Sequence, residues 1–393
     1  MTFCKSEVCC GCGACAAICP ADCISMSSDE GGFPLPTVNE SACKNCGLCE
    51  SVCPGLTQAP SETQSVFEPQ YYAAIHNDAN VVQKSSSGGI FTAITDVILA
   101  DGGVVYGCVS ECVTRAVHTR AETALERDAM RGSKYIQSSS FGFYGEVAAD
   151  LKNERRVYFS GTPCQAAALK LYLKAKNIPT DRFVVQEVLC HGVGSPRFFN
   201  SYIQYMEDKY GGKAVRCSFR AKAAKGKNQD MEIIFDNGKR YNAISTSEDM
   251  FYKFYHRNLI LRESCYSCRF AVPKRQSDIS LGDFWGYTGE NIGEQVSLCV
   301  VSSLAGEKLL SEAKKALTLR VSTLEEANSN AMLRAAPRPE RHGAFWNDFL
   351  RQGFTYISKK YGSNNFKGKL KLSALLIINK SGLLPLVKKI LKK

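Results

Sequence analysis

The sequence predicts an α/β core with a mainly parallel sheet, preceded by a small α+β module built on cysteine. Three observations lead there. Eight of the nineteen cysteines repeat one motif within the first 57 residues. From Tyr71 onward, short apolar runs of strand type alternate with helical patterns, as parallel strands joined by crossover helices do. At 393 residues, with 45% hydrophobic and 22% charged side chains, the chain has an ordinary globular composition and room for two or three domains.

The cysteine motif reads C-x-x-C-x-x-C-x-x-x-C-P. Its first copy is Cys9, Cys12, Cys15, Cys19 and Pro20, and its second is Cys43, Cys46, Cys49, Cys53 and Pro54, each offset by 34 residues. This spacing is that of bacterial-type ferredoxins, which hold two [4Fe–4S] clusters. Three thiolates two residues apart wrap a loop around one cluster, and the fourth, on the following turn, reaches the neighbouring one. Cys9, Cys12, Cys15 and Cys53 are therefore assigned to one cluster, and Cys43, Cys46, Cys49 and Cys19 to the other. Zinc and disulfides are the alternatives. Zinc ribbons use paired C-x-x-C without the third and fourth cysteines or the trailing proline.

Residues 1–57 form this ferredoxin-like module. Residues 58–70, with Pro60, Pro69 and several Ser and Gln, read as a linker. Gly88 and Gly89 precede a helical pattern from Ile90 to Leu99, which Gly102 and Gly103 end before a strand from Val104. Val157 to Ser160 reads as a buried strand. A helix from Cys164 to about Lys174 follows, with Thr162 as its cap and Pro163 at its first position. Phe183 to Leu189, Ile279 to Leu281 and Val296 to Ser302 read as further strands, and Glu307 to Leu317 as a helix. The expected divisions of the core are 71–155, 156–305 with a further cysteine constellation, and a helical, basic region 306–393.

That constellation consists of Cys164 and Cys190, each just beyond a strand, and the C-x-x-C pair Cys265 and Cys268. Ligands of open α/β sheets gather beyond the carboxyl ends of strands. From spacing alone, three readings stay open: a third cluster, buried structural thiols, or a zinc site on the C-x-x-C pair.

At these residues the chain resembles the coenzyme F420 hydrogenase/dehydrogenase beta-subunit family. The matching segments are Ser86-Ser87-Gly88-Gly89, Gly132-Ser133-Lys134-Tyr135, Gly161-Thr162-Pro163-Cys164-Gln165, Cys190-His191-Gly192-Val193, Ser264 to Ala271, and Asp278 to Gly286. They span roughly residues 70–300. The resemblance implies a flavin, FAD, in the core and a third [4Fe–4S] cluster on Cys164, Cys190, Cys265 and Cys268. It implies an oxidoreductase that moves electrons between a two-electron carrier, coenzyme F420 or similar, and one-electron centres. The alternative is a non-catalytic subunit without flavin that relays electrons to a partner enzyme. Ser87, Gly88, Gly89, Gly132, Ser133, Lys134, Tyr135, Gly161 and Thr162 are the candidate flavin contacts. Gly88 and Gly89 offer backbone N–H groups to a pyrophosphate at a helix start. Lys134 and His191 are the candidates for a catalytic part, against readings as a solvated lysine and a structural histidine.

The net charge of +11 comes from residues 351–393, which hold ten lysines, Arg351 and no acid; the rest balances. Nucleic-acid binding is therefore not expected. The expected partners are a redox protein or ferredoxin and a small-molecule carrier. Nineteen cysteines without an export signal point to a reducing cytoplasm. The basic tail, with its apolar runs, suggests peripheral contact with the inner membrane face.

Overall fold

The computed structural model describes residues 4–57, 67–222, 229–243, 248–273, 275–285, 287, 289, 295–327 and 334–362. Most of the expected linker, Gly286 and the basic tail beyond residue 362 lie outside these. The chain divides into two compact units: Met1–Arg197 with Leu261–Pro337, and Phe198–Ile260 with Arg338–Lys393.

The first unit is built on a nine-stranded mixed sheet. Its order is Leu317–Ser322, Gln70–His76, Ser297–Val301, Ile279–Asp283, Phe183–Val188, Val157–Gly161, Val104–Cys112, Arg115–Ala121 and Ser138–Ser139. Parallel pairing joins the four strands from Ile279–Asp283 to Val104–Cys112 and recurs between the last two. The other four ladders are antiparallel. The α/β core is thus as expected, but its parallel part is the centre rather than nearly the whole.

Side chains on the central strands alternate between two cores, as a period of two requires. Val104, Tyr106, Val157, Phe159 and Val185 enter one core with the helices Phe143–Lys152 and Pro163–Ala175. Val105, Tyr158 and Val184 enter the other with Ile90–Ala100 and Leu304–Ala313. Burial on both faces explains why these strands read as continuous apolar runs. The helix expected over 307–317 runs instead from Leu304 to Ala313, with Ser303 Oγ accepting from Gly306 N at 3.1 Å. Leu317 already pairs with His76, and that ladder draws the chain out of the helix.

The cysteine module packs on the first of these cores through Cys12, Ala14, Ile18 and Val52. It contains the helices Ala14–Ile18 and Leu48–Ser51 and an antiparallel hairpin of Ile24–Ser28 with Pro34–Val38. The hydroxyls of Ser140 and Tyr144 both donate to Cys12 O, at 2.8 and 2.9 Å.

The second unit has an antiparallel three-stranded sheet, Ala214–Lys222, Gln229–Phe235 and Arg240–Asn242. Its aromatic core includes Phe199, Tyr202, Phe251 and Phe354. Among the described residues, no helix is long and apolar enough to cross a membrane.

Candidate metal centre

The duplication in sequence is also a duplication of backbone conformation. In the first copy Gly11 and Gly13 have φ of 66° and 77°; their counterparts 34 positions on, Asn45 and Gly47, have 50° and 73°. Left-handed residues on both sides of the second cysteine fold each loop back on itself, and Gly and Asn adopt that conformation at least cost. The turn aims a backbone N–H at a thiol in each copy: Gly11 N at Cys9 Sγ and Asn45 N at Cys43 Sγ, both at 3.4 Å. Such hydrogen bonds to sulfur favour the thiolate that iron requires.

The two loops differ in surroundings. Cys9, Cys12, Cys15 and Cys53 are buried, whereas Cys46 is exposed and Cys43, Cys49 and Cys19 are half-buried. Cys9 and Cys53 share one buried cluster, and Cys15 packs beside Cys19, Cys43 and Cys49. Two cysteines without a sequence-level role adjoin one set each: Cys4 Sγ lies 3.9 Å from Cys53 Sγ of the first, and Cys23 Sγ 3.4 Å from Cys19 Sγ of the second. The Cys9 thiol is held down to about 6, first by its hydrogen bond from Cys4, with Arg262 adding to the effect.

Cys164, Cys190, Cys265 and Cys268 line one cavity, together with Cys10 and His191. Cys164 begins the helix whose entry is organised by Gln165. The Gln165 side-chain oxygen accepts from Thr162 N and Thr162 Oγ1, both at 3.0 Å, and its Nε2 donates to Ser138 Oγ at 2.9 Å. Thr162 Oγ1 also lies 3.2 Å from Cys164 Sγ. A hydrogen bond from Cys10, then Thr162, lowers the Cys164 thiol to about 7. Burial raises Cys190 and Cys268, and takes Cys265 to about 12. Gly192, at φ 142°, sits where a Cβ would press on Leu261 and on Cys265 Cβ at 3.3 Å. Four thiols from three separate chain segments around one space are a donor set that fits a four-iron cluster. Among the described residues, no group of three or more His, Cys, Asp or Glu is arranged around a single metal ion. Thiolates each about 2.3 Å from one zinc would be closer together than those at the corners of a cubane.

The expected flavin contacts form two groups near the carboxyl ends of the central strands. Ser133 N and Oγ both donate to Ser86 Oγ, at 2.7 and 3.0 Å, joining the 86–89 and 132–135 loops. Gly89, φ 84°, caps the Ile90–Ala100 helix, and Gly132, also φ 84°, has open space beyond its missing Cβ. Gly88 departs from expectation: its N–H already donates to Ser297 Oγ at 2.9 Å, and a Cβ there would meet Ala74 O at 2.5 Å. It is a close-packing position. Lys134 likewise is neither solvated nor available to a phosphate. Its Nζ donates to the carbonyls of Cys108, Met130 and Arg131 at 2.8, 3.0 and 3.1 Å, and burial lowers its pKa. Tyr135 takes part through its carbonyl, which accepts from Gly194 N at 3.1 Å. Gly161 is a packing position against the Phe159 ring. Sequence reading missed Arg131. Its buried Nε has no hydrogen-bond partner, and neither does Thr92 Oγ1 in the first turn of the Ile90–Ala100 helix. A helix start capped by Gly89, with open space beyond Gly132, fits a phosphate-bearing cofactor.

Two family models match the chain. Residues 8–55 match a 4Fe-4S dicluster domain. Residues 154–327 match the C-terminal part of the coenzyme F420 hydrogenase/dehydrogenase beta subunit. No curated protein sequence matches the chain. Among solved structures, a chain from work on xenon derivatization of the F420-reducing [NiFe] hydrogenase complex of Methanosarcina barkeri is similar. It is 15% identical with a TM-score of 0.47, over 67% of this chain and 88% of that one. Two of the four cavity cysteine positions precede the Ser264–Ala271 segment and two lie within it, and all four fall inside the 154–327 match. A segment that matches a 4Fe-4S dicluster domain thus precedes one that matches the C-terminal part of the coenzyme F420 hydrogenase/dehydrogenase beta subunit.

Proposed function

We propose that the protein is a three-cluster iron–sulfur flavoprotein oxidoreductase. It would move electrons between a two-electron carrier, coenzyme F420 or a similar molecule, and a one-electron redox partner such as a ferredoxin, in the cytoplasm. The observation that carries this reading is the convergence of Cys164, Cys190, Cys265 and Cys268 on one cavity that also receives Cys10, from between two thiols of the dicluster motif. A bound FAD would supply the exchange between electron pairs and single electrons.

The chain's own residues divide the remaining work. The helix start at Gly89 and the open space at Gly132 would receive the phosphates. Lys134 holds three carbonyls of the adjoining loop in place, a positioning part. Thr162 and Gln165 set the Cys164 thiol at the cavity wall. The buried first-copy thiols keep water from the middle of the path, and the exposed Cys46 loop presents the end of it to a partner.

Iron and flavin content of protein purified without oxygen tests the reading. About twelve irons from three four-iron clusters and about one flavin per chain are expected. Cys164→Ser should then lose about one third of the iron while keeping both dicluster signals. Unchanged iron in that variant would sink the assignment. About eight irons and no flavin after reloading would favour a relay subunit instead.

A further inference from the structure

We propose that Arg262 is a shared charge-compensating residue, holding both the Cys9 thiol set and the Cys164 thiol set at higher reduction potential than the second-copy set. The proposal rests on the three-cluster reading above.

Arg262 is 2% exposed and its guanidinium is permanently charged. Its side chain donates to neutral oxygens: Nε to Cys9 O at 2.6 Å, Nη2 to Pro34 O at 2.9 Å, and Nη1 to Gln137 Oε1 at 3.4 Å. The Phe33 ring covers it, with its centroid 5.4 Å from Cζ. Among the described residues it has no carboxylate partner, although shorter ion pairs are common elsewhere in the chain. A buried cation without a counter-charge is costly. What it faces instead is thiols. It lines the cavity of Cys164, Cys190, Cys265 and Cys268, and its Nε is bonded to the carbonyl of Cys9.

Its backbone is anchored to the same site. Arg262 N donates to Val193 O at 3.0 Å, and Arg262 O accepts from Cys265 N at 2.9 Å. The first-copy loop leaves room for it: a Cβ on Gly11 would lie 2.7 Å from Nη1. A four-iron cluster on four thiolates is anionic, and one-electron reduction adds a further negative charge. A fixed cation beside it therefore favours the reduced form, most strongly where water is excluded. The second-copy loop is exposed and screened.

The test is a redox titration of the loaded protein followed by electron paramagnetic resonance, with an external chemical reductant supplying the electron. Arg262→Gln removes the charge. At a fixed potential, the ratio of reduced to oxidised cluster should fall about tenfold at the Cys9 and Cys164 sets, about 59 mV for one electron, with the second-copy set unmoved. Gln137→Glu supplies the missing carboxylate without removing the guanidinium. It should shift the same two sets in the same direction, and it carries the test if Arg262→Gln does not fold. Arg262→Lys keeps the charge and should hold the potentials near wild type. Loaded Arg262→Gln or Gln137→Glu protein with unshifted potentials overturns the proposal, as does an equal shift at all three clusters or a shift confined to one. Wild-type protein holding only about eight irons would remove the three-cluster reading, and the sharing with it. The first set's response would still show whether Arg262 acts there.

Discussion

His118 shows how one residue can set a pH limit. Its ring stacks on Phe159 at a centroid distance of 5.5 Å. Its Nε2 lies 3.2 Å from Ser160 O, and its Nδ1 is sealed without a partner. Burial lowers its pKa to about 4. Between that value and the unfolded value near 6.5, the unfolded chain binds a proton that the folded chain refuses. Stability is therefore fully present above about pH 6.5 and falls as the pH drops toward 4. His118→Gln should reduce the stability lost between about pH 6.5 and pH 4 by about 2 kcal/mol, allowing for the partial exposure of the side chain. Denaturation curves of the two proteins at several pH values measure the difference, and equal slopes would contradict it.

At the scale of the element, the two cysteine loops make a matched pair. Gly13 and Gly47 share the left-handed conformation, so alanine at either costs about 1–2 kcal/mol in backbone strain. Their surroundings differ. A Cβ at Gly47 meets nothing within 4 Å, whereas one at Gly13 runs into the Phe141 ring. Gly13→Ala should therefore lose about 1–3 kcal/mol more than Gly47→Ala through overpacking. Chemical denaturation of both variants, with iron retention as a second readout, checks the ordering. The equivalence of the two loops was legible in the 34-residue offset. Their difference was not, because Phe141 is distant in sequence and comes from the core.

Across the whole first unit, the thiol sets differ in access. Cys46 is exposed and its three companions are half-buried, while Cys9, Cys12, Cys15 and Cys53 are buried. Oxidation follows access to solvent. Brief exposure of loaded protein to oxygen or a chelator should thus destroy the second-copy cluster before the first. Resonance spectra taken over time would show the order, and simultaneous loss would argue against it. The central parallel strands were legible as apolar runs because both of their faces are covered. The antiparallel flanks were not, because edge ladders such as Leu317–Ser322 on Gln70–His76 are set by pairing over more than two hundred residues rather than by local pattern.

The sequence alone determined what depends on short separations. The duplicated thiol spacing and the Thr162-Pro163 start of the helix after Val157–Gly161 both act within a few residues, where covalent geometry and local hydrogen bonds decide conformation. Only the tertiary structure decided which distant groups meet. Cys10 reaches the Cys164 cavity, Lys134 is spent on three carbonyls, and Arg262 contacts a carbonyl 253 positions away. Such contacts form when sheet pairing and core packing close long loops, and no local pattern encodes which groups those closures bring together.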